Sequence, residues 1–146
     1  MTSKPKNTRA NLVPCFAYRD PNAAIKWLKA AFSFKEHSRF EDKGRVVHAE
    51  LSFGNGMIML GVWDPKSPFG RFLIHPSDVE GKQTQAPYII VEDAEATYVD
   101  VKAAMVKGGE MLIDIHTADY GGRGFTCSDP EGHIWSIGEY DPWRGN

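Results

Sequence analysis

No stretch of the chain comes near the ~20 consecutive apolar residues that a membrane-spanning helix needs, and the opening residues MTSKPKNTRAN offer no apolar core for a secretory signal. The expectation is a cytoplasmic protein without a membrane partner. Cysteine is scarce. Cys15 and Cys127 fall in different halves, and their spacing matches neither a zinc knot nor a redox CxxC pair. Both read as reduced core residues, so neither a disulfide nor a structural metal is needed for stability. Nor is there an excess of one charge. The 17 Lys and Arg stand scattered among 19 Asp and Glu, for a net charge of −2, which speaks against nucleic acid as a partner. A hydrophobic content of 42% over 146 residues is enough for an ordinary core that buries ~70% of the unfolded surface.

What the chain does have is a near copy of itself. Residues 13–34 (VPCFAYRDPNAAIKWLKAAFSF) laid over residues 86–107 (APYIIVEDAEATYVDVKAAMVK) match Pro14 to Pro87, Asp20 to Asp93, Ala23 to Ala96 and Lys29-Ala30-Ala31 to Lys102-Ala103-Ala104. The offset of 73 residues is half of 146. With a few residues of slippage the ends of the halves also agree, MIMLGVWDP at 57–65 resembling IWSIGEYDP at 134–142. Two copies of one module predict a compact body with a pseudo-two-fold axis and a groove between the halves.

The modules share a grammar. LVPCFAY (12–18) reads as a strand, and Asp20-Pro21 supplies a helix N-cap followed by proline at the first helical position. Ile25, Leu28 and Phe32 then form one apolar stripe, predicting a helix over 21–32. Strands follow at about 35–41, 45–53 and 57–63, with Gly54-Asn55-Gly56 closing a hairpin. In the second half APYIIVE (86–92) is the strand and Asp93 the cap. The helix runs from Ala94 to Lys107 with Tyr98, Val101 and Met105 inward, ended by Gly108-Gly109. Strands are expected near 110–117, 124–128 and 133–140. The organisation is a polar, disordered tail over 1–11 and one domain over 12–143. Within it, module one is 12–63, module two is 85–143, and the turn-rich linker 64–84 is a candidate lid. Each module is β-α-β-β-β, with its helix on the convex face and its concave face free to hold something.

Period two along 45–53 sets Val47, Ala49, Leu51 and Phe53 against the helix and turns His48 and Glu50 into the first cup. A carboxylate beside an imidazole is an acid/base pair able to move a proton on a bound molecule; two polar residues on a solvated sheet face look the same in sequence. A metal on His48 and Glu50 would need further ligands, for instance His116 or Glu139. Tyr120 and Arg123 flank two glycines, where backbone can approach a ligand and a guanidinium can grip a carboxylate or phosphate; otherwise Arg123 pairs with an acid such as Asp119 or Asp129. Tyr88 and Tyr140 share a phase with Ser136 on the cup side of their strands and could stack a planar guest. Trp63 adds aromatic area, whereas Trp135, in phase with Ile137, packs on the helix. His75 and His133 have no partner identifiable in the sequence.

The order of elements over 12–143, together with Tyr120-Gly121-Gly122-Arg123, Phe125, Asp129-Pro130-Glu131-Gly132 and Gly138, resembles the vicinal oxygen chelate superfamily of glyoxalase I, extradiol dioxygenases and bleomycin-resistance proteins, and is most similar to the bleomycin-resistance-like members. The resemblance implies an α+β fold in which two tandem βαβββ modules form a cupped, partly closed mixed sheet with helices outside. It implies a homodimer, since members often build each cup from modules of two chains. It also implies ligand positions near Val13 or Pro14 and Ala86 or Pro87 in the first strands, and at Met59 and Ser136 in the last. None of these is a usual metal ligand. The expectation is therefore a protein that holds a small aromatic or anionic molecule without metal or other cofactor, its cups lined by His48, Glu50, Met59, Tyr88, Tyr120, Arg123, Ser136 and Tyr140. Two alternatives stand beside it. One is an enzyme of the same superfamily, a lyase, isomerase or dioxygenase with His48 and Glu50 as base or as ligands of a divalent metal. The other is an interaction module with filled cups.

Overall fold

The computed structural model describes residue 5 and residues 7–144. Residues 1–4 and 6 of the expected tail lie outside the described residues. The first module comprises β1 (Cys15–Tyr18), α1 (Pro21–Phe32), β2 (Lys35–Asp42), β3 (Arg45–Phe53) and β4 (Gly56–Val62). The second comprises β5 (Tyr88–Ile90), α2 (Ala94–Ala104), β6 (Glu110–Thr117), β7 (Arg123–Ser128) and β8 (Ile134–Gly138). Their sheets have the same order, β1-β4-β3-β2 and β5-β8-β7-β6, with only the β1–β4 and β5–β8 pairs parallel. This is the expected duplicated, mixed-sheet α+β architecture. No helix among the described residues is long and apolar enough to cross a membrane.

Local chemistry sets the helices. The Asp20 carboxylate accepts from the Ala23 N–H at 3.0 Å, Asp93 accepts from Ala96 at 3.1 Å, and Pro21 occupies the first turn of α1, satisfying donors that a helix start leaves unpaired. α1 ends on Ser33 in the left-handed region. α2 stops earlier than expected, at Ala104, and its last turn tightens into a 3-10 turn over Met105–Lys107 before Gly108. Gly109 follows at φ +96°, where a Cβ would lie 2.6 Å from the Ser128 carbonyl oxygen. Only glycine fits there.

The expected alternation along β3 holds from His48 onward and fails before it. Phe40 pairs with His48 but Glu41 pairs with Val46, so Val47 is an unpaired bulge residue. The slip turns Val46 into the core and leaves Val47 exposed. The Asn22 side chain at the start of α1 helps hold the bulge by accepting from the Val46 N–H at 3.0 Å.

The halves meet through a common core, with a groove left between α1, the end of α2 and residues 129–131. The two sheets share no ladder among the described residues; they share a core. Trp135 on β8 is fully buried, stacks on Phe16 of β1 with ring centroids 4.8 Å apart, and meets Phe32 and Phe34 at 5.3 and 6.0 Å. Replacing a buried aromatic of this size by alanine typically costs ~3–5 kcal/mol. The Trp27 indole N–H donates to the carbonyls of Ala104 and Gly108, tying α1 to the end of α2. The shared core is thus built from the helix side of each sheet. Each concave face, on the opposite side of its sheet, is unshared within the chain.

Candidate functional site

The concave face of the first sheet is built in two cross-strand rows. Cys15, Met59, Glu50 and Ser38 are register partners across β1, β4, β3 and β2, as are Ala17, Gly61, His48 and Phe40. In a sheet such partners stand on one face, so the phase expected for His48, Glu50 and Met59 is the one found. The linker covers part of this floor. Phe69 and Leu73, around a 3-10 turn at Gly70–Phe72, join Cys15, His48, Met59 and Trp63 in lining a cavity of about 260 Å³. His48 Nε2 lies 3.1 Å from Glu50 Oε2, both side chains being partly buried, and the Phe40 ring is 5.8 Å from the imidazole. With Nε2 donating to Glu50, Nδ1 carries the free lone pair and can accept a proton.

The second concave face is a floor of hydroxyls. Tyr88, Ser136 and Thr126 are register partners, and the Ser136 and Thr126 hydroxyls are 2.9 Å apart. Gly138 and Gly124 form the next row, and the Tyr88 ring lies over Gly138 so closely that a Cβ there would be 2.5 Å from the phenol oxygen. The Tyr88 hydroxyl donates to the Tyr140 carbonyl at 2.9 Å, and Tyr120 meets Tyr140 edge-on at 4.9 Å. Partial burial first, and then the neighbouring Tyr120, raises the Tyr88 phenol above its ordinary value, so it is a hydrogen-bonding group and not a phenolate. Tyr88, Tyr120 and Tyr140 therefore gather at one end of this cup.

Arg123 is a correction. It shares a phase with the buried Phe125 and Cys127 on the helix side of β7, and its Nη2 donates to Glu95 of α2 at 2.6 Å. Its pairing acid is neither Asp119 nor Asp129, and its guanidinium stands apart from the cup floor. Glu139, weighed as a metal ligand, accepts from the backbone N–H groups of Arg123 and Ala94. These bonds, the Arg123 amide first, hold its carboxyl below the ordinary carboxylate value. The His116 Nδ1 stays with the Asp114 carbonyl at 3.0 Å. Two histidines without identifiable partners in the sequence also prove structural. His133 is buried with Nε2 3.0 Å from the Ala17 carbonyl, and His75 is buried between Ser77 and Glu131 at 2.9 Å each.

Cys15 was missed. Its expected place was the core, but it is exposed and lines the first cup. Cys127 does belong to the core, where burial pushes its thiol up to about 12. The signal for Cys15 is the β1–β4 register, which puts it beside Met59, and a parallel register is not legible from either strand alone. The fold's relatives raise the question of a divalent metal. His48 and Glu50 are spent on each other, Met59 and Ser136 are poor donors for a hard or borderline cation, and no three His, Cys, Asp or Glu side chains converge among the described residues. That donor set does not fit a divalent ion.

No family model matches the chain. An uncharacterized protein of Mycobacterium bovis is 25% identical over 134 residues, covering 91% of this chain and 85% of that protein. Among solved structures, TioX from Micromonospora sp. ML1 is similar with a TM-score of 0.71 at 24% identity, over 90% of this chain and 99% of that one. A glyoxalase/bleomycin resistance protein/dioxygenase from Nocardioides is similar with a TM-score of 0.64 at 14% identity, over 94% and 85%. The duplicated β-α-β-β-β modules, their strand order and these likenesses together identify the fold as that of the glyoxalase/bleomycin resistance/dioxygenase proteins, the vicinal oxygen chelate fold.

Proposed function

We propose that the chain is a bleomycin-resistance-like member of this superfamily that binds a small aromatic or anionic molecule on its concave faces without a metal. The observation that carries this reading is the cavity of about 260 Å³ on the first cup, floored by Cys15, Met59 and His48 and partly roofed by Phe69 and Leu73 of the linker. Apolar walls with a few placed polar groups are the usual make-up of a small-molecule site. In the assembled form two chains pair, the first cup of one chain closing on the second cup of its partner. Phe40 and Ile113, one on each concave face, are 57% and 54% exposed, which supports a partner surface over them. The His48–Glu50 pair favours one rival, acid/base catalysis on the bound molecule.

The test begins with a fluorescence screen of aromatic acids and their neutral amides. Met59→Trp, which fills the cavity, is expected to weaken a hit by at least about tenfold, and His48→Ala to change it by less than about threefold. An affinity untouched by Met59→Trp would remove the cup from consideration. Turnover of the hit that disappears in His48→Ala while binding persists would replace the binder by the enzyme. Near-stoichiometric metal in protein purified without chelator, lost in His48→Ala, would overturn the metal-free reading.

A further inference from the structure

A second cavity lies outside both cups. About 620 Å³ in volume, it lies on the helix side, between α1, the end of α2 and the turn that joins β7 to β8. Ala23, Lys26, Trp27 and Ala30 are spaced i, i+3, i+4 and i+7, so one face of α1 forms its wall. Ala104 and Pro130 continue the apolar lining. The space exists because small side chains stand where two helices would otherwise interlock, while Trp27 is held as the floor by its indole bonds to Ala104 and Gly108. A volume of this size falls within the ~300–1,000 Å³ typical of small-molecule sites.

The charges around it divide into two kinds. Every carboxylate is engaged from within the protein. Asp129 accepts from Tyr18, Trp135 and the amides of Glu131 and His133; Glu131 accepts from the amides of Arg19 and Asp20 and faces His75; Asp20 caps α1. The two lysines are not engaged. Lys26 and Lys107 are exposed and make no hydrogen bond or ion pair with any described residue. An apolar slot whose acids are each engaged within the protein and whose two ammonium groups are free complements a molecule with an apolar body and one anionic head.

We infer that this helix-side cavity is a second binding site, distinct from the cups, for a small aryl or alkyl carboxylate whose apolar body packs on Trp27 and the α1 alanines and whose head is held by Lys26 and Lys107. The probes are 2-naphthoate and its neutral analogue 2-naphthamide, titrated into the full chain and followed by nitrogen–proton correlation NMR. The expected result is movement of the Trp27 indole signal and of the Ala23 and Ala104 amides. Naphthoate should bind the double variant Lys26→Glu, Lys107→Glu about tenfold more weakly, with the naphthamide affinity unchanged. Ala30→Phe, an exposed helix position that tolerates a larger side chain, should block both probes. Shifts confined to Cys15, His48 and Tyr88 would put the probe in the cups and overturn the inference. So would a naphthoate affinity indifferent to both lysines, or no shift at all.

Discussion

Asp129 is the residue on which the two modules meet. It is only 2% exposed, and its two oxygens take hydrogen bonds from the Tyr18 hydroxyl at 2.6 Å, the Trp135 indole at 3.2 Å and the amides of Glu131 and His133. An amide in its place would turn an NH2 group toward donors, so Asp129→Asn is expected to cost ~2–4 kcal/mol, read as a lowered urea midpoint with an unchanged slope. Its neighbour in the turn, Glu131, spans the same junction by accepting from the amides of Arg19 and Asp20. The residues Asp129-Pro130-Glu131-Gly132 announce a turn, and Gly132 at φ +94° confirms one. Their bridging role stayed hidden because the partners are more than 100 residues away in sequence. Two carboxyls set opposite pH trends. Burial raises the Asp129 carboxyl, so its contribution is fullest at low pH and declines as pH rises through its folded value. Glu139 is lowered, so the unfolded chain binds its proton more readily, and its contribution is present above the ordinary value of about 4.3 and lost as pH falls through the depressed one. Glu139→Gln should therefore flatten the fall of stability on the acid side of about pH 4.3, and a slope identical to wild type would show that the group contributes nothing there.

Among elements, the helix starts were the most legible part of the chain, because a cap is a contact between residues three apart. Asp20 and Asp93 both cap as expected, and α1 has the expected bounds of 21–32. The end of α2 and the start of β3 were less legible. In the first, Gly108 and Gly109 pass close to Pro130, Ser128 and Trp27, which only the packed halves bring together. In the second, the bulge that exchanges Val46 for Val47 arises from cross-strand register. Two glycines separate these influences. Gly109 and Gly121 both have positive φ, but a Cβ at Gly109 meets the Ser128 carbonyl and the Trp27 ring, whereas at Gly121 it meets nothing within 4 Å. Gly109→Ala should cost ~2–4 kcal/mol and Gly121→Ala only ~1 kcal/mol. Equal losses in thermal or urea unfolding would mean that backbone conformation alone governs both sites.

For the whole molecule, the packing of both sheets through their helix sides has a consequence for assembly. The first concave face, opposite the shared core, is only partly covered by Phe69 and Leu73 of its own linker and leaves Phe40 exposed. If two chains close each other's cups, Phe40→Glu should shift sedimentation from dimer to monomer and weaken ligand binding in the first cup together, since both depend on one contact. Wild-type protein that sediments as a monomer at every concentration would remove the composite cup while leaving the fold unchanged.

The sequence alone determined the duplication, the order of elements, the resemblance that named the fold, and the phase that turns His48 and Glu50 away from the core. All of these rest on local periodicity, local caps or an internal copy that can be aligned without coordinates. Tertiary structure decided the rest. It placed Cys15 beside Met59 through a parallel register, moved Arg123 to Glu95 on the helix side, gave His75 and His133 their partners, and packed Phe16, Trp135 and Phe34 into the core that the halves share. These contacts join residues far apart in the chain, and their geometry is set by how two sheets and two helices pack into one core.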